Sequence, residues 1–304
     1  EWGAVNEVLP KDRVLDRALY DRDGGFYEAG GRAGGRKGDF LTSPEVGPLF
    51  GAVVARALDA WWRSLGEPDP YVVVEAGAGP GTLYRTVLAA APDCAPALRY
   101  VLVERSAAQR RLHGERIRLE DPALAFAPVD PDTEAPVRGA PTGPICVSLG
   151  ELPRIAGPAV VLANELLDNL PFSMAERRDG GWLEVRVDLA PAAEAAGGDR
   201  LIERLVPADA ERSALLDRLV PGAAEGGRVP LQEAARAWLR EALAVAGPRG
   251  RVVAVDYAST TAALAARPPD EWLRTYRGHA RGGAALDELG HQDITCEVAT
   301  DQLG

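Results

Sequence analysis

The residues most able to do chemistry in this sequence gather behind short apolar runs. EAGAGPG at positions 75–81 follows the run 71–74 and puts a carboxylate, Glu75, at the end of a candidate strand, with Gly77, Gly79 and Gly81 behind it. Glycine takes positive φ and lets a ligand come close to the backbone. The spacing is GxGxG, one residue tighter than the GxGxxG of dinucleotide binders, in which a pyrophosphate sits on a helix N-terminus. Pro80 also removes a backbone donor that an anion-binding loop needs. A ligand without phosphate fits better: S-adenosylmethionine (SAM), whose amino-acid tail and ribose can pass over the loop while Glu75 receives its ammonium group. A tight strand-to-helix turn with no ligand is the plain alternative, but three glycines exceed what a turn requires.

Glu104 closes a second apolar run, 100–103, and a carboxylate there can accept from both ribose hydroxyls at once. Ser148 and Leu149, at the end of a third run, 145–149, are read as further cofactor-lining residues. TSPE at 42–45 fits a capping box, with Thr42 bonding backbone N–H groups and Glu45 reaching back. The same capped helix start lets Thr42 and Ser43 hold a carboxylate. NELLDNLP at 164–171 follows a fourth run, 159–163, and ligands in open α/β sheets bind outside the carboxyl ends of the strands. Glu165 and Asp168 are three apart, so one helical turn sets them on one face. Two carboxylates there can hold a guanidinium and align a nitrogen with the sulfonium methyl, with Asn164 beside them; helix-start capping is the competing reading.

Positioning these groups takes alternating strands and helices. A short helix is expected over 10–20, followed by a glycine-rich loop. The stripe Val46, Leu49, Phe50, Val53, Val54, Ala57, Leu58 and Trp61 then predicts a helix. Strand, tight turn and helix follow from 71 onward, and a polar helix containing Gln109 and Leu112 links the second run to the third; parallel strands need crossovers of this size. Alternation at 182–189 predicts a half-buried antiparallel strand. Helices over 208–219 and 231–245 precede a fifth run at 252–255, which ends at Asp256 and Tyr257 and is expected to return to the main sheet. The long stretch between the fourth and fifth runs reads as an inserted subdomain covering the site.

Bulk composition narrows the partners. The 304 residues are 46% hydrophobic and 26% charged, which allows one substantial core plus an accessory subdomain, or two small domains. A formal charge of −11 disfavours a phosphate-neutralising surface, so no nucleic-acid partner is expected. No apolar run reaches the roughly 18 residues that cross a bilayer, and the N-terminus lacks a secretory layout, so no membrane partner and a cytoplasmic location are expected. Cys94, Cys146 and Cys296 are isolated, and His113, His279 and His291 lack ligand spacing, so neither disulfides nor a metal site is expected. The chain opens on Glu1 and closes on Gly304 without an obvious ending, so trimming at both ends is expected. A homodimer is allowed for.

GRKGDFLTSPEVGPLFG, EAGAGPGTL, VLVERS, VLANELLDNLPF and the later YRGH and QDIT segments together resemble the MidA-like SAM-dependent methyltransferases, in order and over nearly the whole chain. The resemblance implies a class I, Rossmann-like α/β sheet with an N-terminal helical extension (1–66), a SAM-binding core (67–175), an inserted substrate-side subdomain (176–247) and a C-terminal part of the core sheet (248–304). It implies SAM as cofactor, held by Glu75, Gly77, Gly79, Gly81 and Glu104, and a catalytic face of Asn164, Glu165 and Asp168, with Tyr257 or His279 bordering the pocket. For mitochondrial members it implies methylation of a protein arginine in a respiratory complex I subunit. The chain departs from the family pattern at NLP for ALP, at DYA (256–258) for DYG, and at Phe172, Ser173 and Met174, where a histidine-containing sequence is usual. That last departure keeps a small-molecule O- or N-methyltransferase open, as well as an assembly factor that binds SAM without turnover.

Overall fold

The computed structural model describes residues 8–29, 47–126, 142–191, 200–278 and 280–304. In chain order the principal elements are α1 (Lys11–Tyr20), α2 (Pro48–Ser64), β1 (Tyr71–Ala76), α3 (Thr82–Ala89), β2 (Leu98–Val103), α4 (Ala107–Arg116), β3 (Ile145–Leu149) and β4 (Ala159–Asn164). After these come β5 (Ser173–Arg178), β6 (Gly181–Leu189), β7 (Leu201–Pro207), α5 (Ala210–Leu219), β8 (Arg228–Leu231), α6 (Glu233–Ala246), β9 (Arg251–Val255), β10 (Leu273–Arg277) and β11 (Asp293–Cys296). The chain forms two compact units: residues 32–166 with 240–255, and residues 1–31, 167–239 and 256–304.

The first unit is built on a parallel sheet of order β9-β4-β1-β2-β3. Its inner strands are near-continuous apolar runs because helices cover both faces of such a sheet; every residue of β1 and β2 is buried. Leu58 from α2, Leu83 and Val87 from α3, and Val73, Leu98, Tyr100, Leu102, Val160 and Leu162 from the strands share one core. Helix α2 starts with Pro48 at a first-turn position, where the missing N–H costs nothing. Only part of its apolar stripe is buried, since Leu49 and Val53 are exposed. Glycine is required at Gly51, where any Cβ would meet the Thr86 side chain of α3. The chain runs β1, β2, β3 towards one edge and resumes with β4 on the other side of β1. The switch point, where α/β sheets bind ligands, therefore lies between the tips of β1 and β4.

The second unit carries an antiparallel sheet of order Leu9–Pro10, β6, β5, β8, with β7 also paired to β6. Residues 182–189 thus lie in an antiparallel strand, as their alternation predicts. Ala175, Trp182, Val229 and Leu231 pack against Leu216 of α5 and Val220 just after it. A smaller sheet joins Ala280–Arg281, β10 and β11. Lys11, 1% exposed, pairs with Glu203 at 2.6 Å, and Arg228 bridges Glu203 at 2.7 Å and Glu176 at 2.9 Å.

The units cut across the four segments read from the sequence. Helix α1 lies in the antiparallel unit and α2 in the parallel one; of residues 248–304 only β9 joins the parallel sheet, while residues 256–304 belong to the antiparallel unit. An apolar run says that a strand exists, but its partners are set by residues far along the chain, which is why these boundaries differ.

Candidate functional site

At the tip of β1 the chain turns through Gly77, Gly79 and Gly81, at φ of 66°, 51° and 75°, values that favour glycine. A Cβ at Gly77 would lie 2.9 Å from Leu166 Cδ1, just past β4, and one at Gly81 would lie 2.5 Å from Ile117 Cδ1. The dihedral therefore holds all three positions to glycine, and at Gly77 and Gly81 an added Cβ would also press on those side-chain ends. Gly81, left-handed, leads directly into α3.

Glu104 follows β2 and is buried at the loop. Its Oε2 accepts from the Gly79 N–H at 2.9 Å and its Oε1 from the Ser106 N–H at 2.9 Å. Two backbone donors fix the plane of the carboxylate, whose oxygens have about four lone-pair sites between them. Glu75 lies inside β1 and accepts from Tyr100 Oη at 2.7 Å. Burial pushes its carboxyl up to about 8, against the lowering effect of the bonds from Tyr100 and the Tyr84 backbone, and Glu104 adds to the rise. Ser148 and Leu149 end β3, and the Leu149 carbonyl accepts from Glu104 N–H at 3.0 Å. The tips of β1, β2 and β3 thus bring together Glu75, the three glycines, Glu104, Ser148 and Leu149. Thr42 and Ser43 lie outside the described residues, as does His279.

Asn164 is the last residue of β4. Its Nδ2 donates to Glu165 Oε1 at 3.4 Å, and its buried Oδ1 has no partner among the described residues. A buried acceptor without a donor costs about 1–3 kcal/mol, so this oxygen is open to a donor from outside the described residues. Glu165 stands at φ 50°, uncommon for a residue with a Cβ and frequent at functional sites, and its N–H is held by the Val255 carbonyl at 2.9 Å.

The single helical turn expected over 165–168 does not form. The chain passes into the antiparallel unit after Leu166, and a short 3-10 turn begins at Leu167 and holds Asp168 and Asn169. Its first N–H groups, from Leu167 and Asp168, donate to Asp256 Oδ2 at 2.9 and 3.3 Å. Asn169 Nδ2 donates to Asp293 Oδ1 at 3.0 Å and to the Ile294 carbonyl at 3.2 Å, while Tyr27 Oη donates to the same Asp293 oxygen at 2.8 Å. The asparagine of NLP therefore serves its own unit by tying the turn to β11. Phe172 and Met174 are buried in the interior of their unit and Ser173 is nearly so. Tyr257 is exposed.

Sequence reasoning missed His113, Asp256 and Asp293 as parts of these arrangements. Each acts through a partner distant in sequence, and no local spacing reveals such a bond.

The residues suit an adenosyl sulfonium compound: carboxylates at two adjacent strand tips, a proline-interrupted glycine loop and an amide oxygen with no partner among the described residues. Residues 53–304 match a family model described as an S-adenosyl-L-methionine-dependent methyltransferase. Among curated proteins, the chain is 31% identical over 191 residues to the protein arginine methyltransferase NDUFAF7 homolog, mitochondrial, of Drosophila melanogaster, covering 60% of this chain and 42% of that one. It is 26% identical over 288 residues to mitochondrial protein arginine methyltransferase NDUFAF7 of Danio rerio, covering 87% of this chain and 60% of that one. The chain thus spans only part of the length of these relatives. A solved structure from Burkholderia thailandensis bound to S-adenosyl-homocysteine is similar with a TM-score of 0.76 and 26% identity, over 97% of this chain and 70% of that one. A native structure of a superfamily protein from the same organism gives 0.72 and 25%, over 97% and 69%.

Proposed function

The chain belongs to the family of S-adenosyl-L-methionine-dependent methyltransferases, and from that premise we propose that it methylates a protein arginine side chain. SAM supplies a methyl group on a sulfonium that leaves without acid help. Glu104, its plane set by Gly79 and Ser106, takes the ribose hydroxyls. The loop of Gly77, Gly79 and Gly81 passes beneath the amino-acid tail, Ser148 and Leu149 flank the base, and Glu75 faces the ammonium group. Thr42 and Ser43 are assigned to the same site from the sequence.

On the acceptor side, Asn164 and Glu165 receive the guanidinium, and Asp168 is assigned to the same role from the sequence. Guanidinium is planar, always charged at neutral pH and rich in donors, so carboxylates and an amide oxygen match it. Their work is alignment of one nitrogen with the methyl and exclusion of water from the pair. The new N–C bond forms as the C–S bond breaks, S-adenosylhomocysteine departs as a neutral thioether, and the proton shed by the nitrogen passes to a carboxylate of this face or to solvent. The observation that carries this reading is the buried Asn164 Oδ1, without a partner among the described residues, next to Glu165, supported by the names of the relatives that the chain resembles. The purified protein, incubated with methyl-labelled SAM and separated protein and metabolite fractions of a cell extract, is expected to label arginine in a protein, as read by mass spectrometry of digests. Label confined to a metabolite would instead identify a small-molecule acceptor, and no turnover on any fraction would point to an assembly factor.

A further inference from the structure

His113, on α4, is fully buried beneath the glycine loop. Its Nε2 lies 2.6 Å from the Gly79 carbonyl and its Nδ1 lies 2.8 Å from Ser148 Oγ. A carbonyl only accepts, so Nε2 carries the proton, and Nδ1 of the neutral ring accepts from the serine hydroxyl. The same residue, Gly79, gives its N–H to Glu104, and Glu104 gives its own N–H to the carbonyl of Leu149, the neighbour of Ser148. The bonds close a circuit: Gly79 to Glu104, Glu104 to Leu149, Ser148 to His113, and His113 back to Gly79. It joins the loop, the tip of β2 and the tip of β3, all three of which are assigned to the cofactor.

We propose that His113 is a positioning residue of the cofactor site, holding the Gly79 peptide and the Ser148 hydroxyl in the geometry that receives the nucleoside. This rests on the assignment of the loop as the SAM site. A histidine that merely filled the core would set stability and leave affinity alone. Without it, the Gly79–Pro80 peptide loses the bond to its carbonyl, and Gly79 keeps only the bond from its own N–H to Glu104, with two soft dihedrals between the two peptide planes.

The neutral ring is the one that fits. Protonation turns Nδ1 into a donor, so the Ser148 hydroxyl must reverse, and it puts a charge into a dry site. Burial holds the imidazole below its usual range, with Arg110 and Arg116 of the same helix adding to the effect and the Gly79 carbonyl opposing it. From the other elements, β3 presents the neutral Ser148, the loop presents the Gly79 carbonyl, and Glu104 at the β2 tip is the charged group on the far side of the Gly79 peptide.

The test is calorimetric titration with S-adenosylhomocysteine between about pH 5 and 8, on wild type, His113→Leu, His113→Gln and Gly77→Val. His113→Leu is expected to bind about tenfold more weakly, as the loss of a buried hydrogen bond implies. His113→Gln, which can still donate to Gly79, is expected within about threefold of wild type. Wild-type affinity should fall relative to that of His113→Gln towards the acid end of the range. If His113→Leu does not fold, Ser148→Ala reads the other half of the circuit, with about a threefold loss. Wild-type affinity in His113→Leu together with lost binding in Gly77→Val overturns the role of His113 alone; wild-type affinity in both overturns the loop assignment as well.

Discussion

At the scale of single residues, the carboxylates divide by environment. Glu75 is ordinarily a group of pKa 4.5, and in the fold burial raises it to about 8. Between those values the folded state keeps a proton that the unfolded chain has lost, so stability falls as pH rises through the window. Glu75→Gln is neutral throughout and should lose less stability than wild type between pH 4.5 and about 8; urea unfolding at several pH values reads this, and parallel curves would contradict it. An ammonium group beside Glu75 favours its ionised form, so SAM binding should release a proton and tighten towards pH 8. For Glu165 and Asp168, alignment is the assigned work. Alanine at either should slow turnover by about a hundredfold, the cost of a misplaced acceptor, while SAM affinity stays near that of wild type. Unchanged turnover would remove them from the mechanism.

At the scale of elements, the glycine loop and the strands behind it were legible because a buried parallel strand writes itself as an unbroken apolar run with a turn signal at its end. Tyr71–Ala76, Leu98–Val103, Ile145–Leu149 and Ala159–Asn164 all lie on such runs. The turn after β4 was not legible. Spacing alone suggested one helical turn through Glu165 and Asp168, but Glu165 takes φ 50° and the turn is organised by Asp256, nearly ninety residues away in sequence. Replacing Asp256 by alanine leaves the N–H groups of Leu167 and Asp168 without this acceptor, a loss of about 1 kcal/mol by analogy with helix caps. Thermal unfolding should show that loss, and turnover should drop with it because Asp168 loses its placement. Asp256→Asn, which keeps an acceptor oxygen, should recover most of both. Equal damage from alanine and asparagine would show that the negative charge, not the cap, is what matters.

At the scale of the whole molecule, the sequence conveyed an α/β chain with a region added to the sheet but not which segments make up each unit. Helix α1, near the start of the chain, closes the antiparallel unit through Lys11, whose ammonium is sunk against Glu203. Burial lowers its pKa, with Glu203 opposing; the lysine is buried while Glu203 stays partly exposed. Removing one partner of such a pair leaves a charge poorly compensated, although Arg228 still reaches Glu203 at 2.7 Å. Lys11→Met should cost about 2–3 kcal/mol and lower the unfolding midpoint by several degrees, with affinity for S-adenosylhomocysteine unchanged because the cofactor residues belong to the other unit. Weakened cofactor binding in that variant would contradict the division of labour between the units.

The assigned roles of these residues all depend on where the nucleoside lies. A crystal structure of this chain with S-adenosylhomocysteine reads that position directly. Ribose hydroxyls are expected on the Glu104 carboxylate, the amino-acid tail over Gly77 and Gly79, and the sulfur directed towards Asn164 and Glu165. A nucleoside bound elsewhere, with Glu104 touching only the backbone of Gly79 and Ser106, would contradict the assignment.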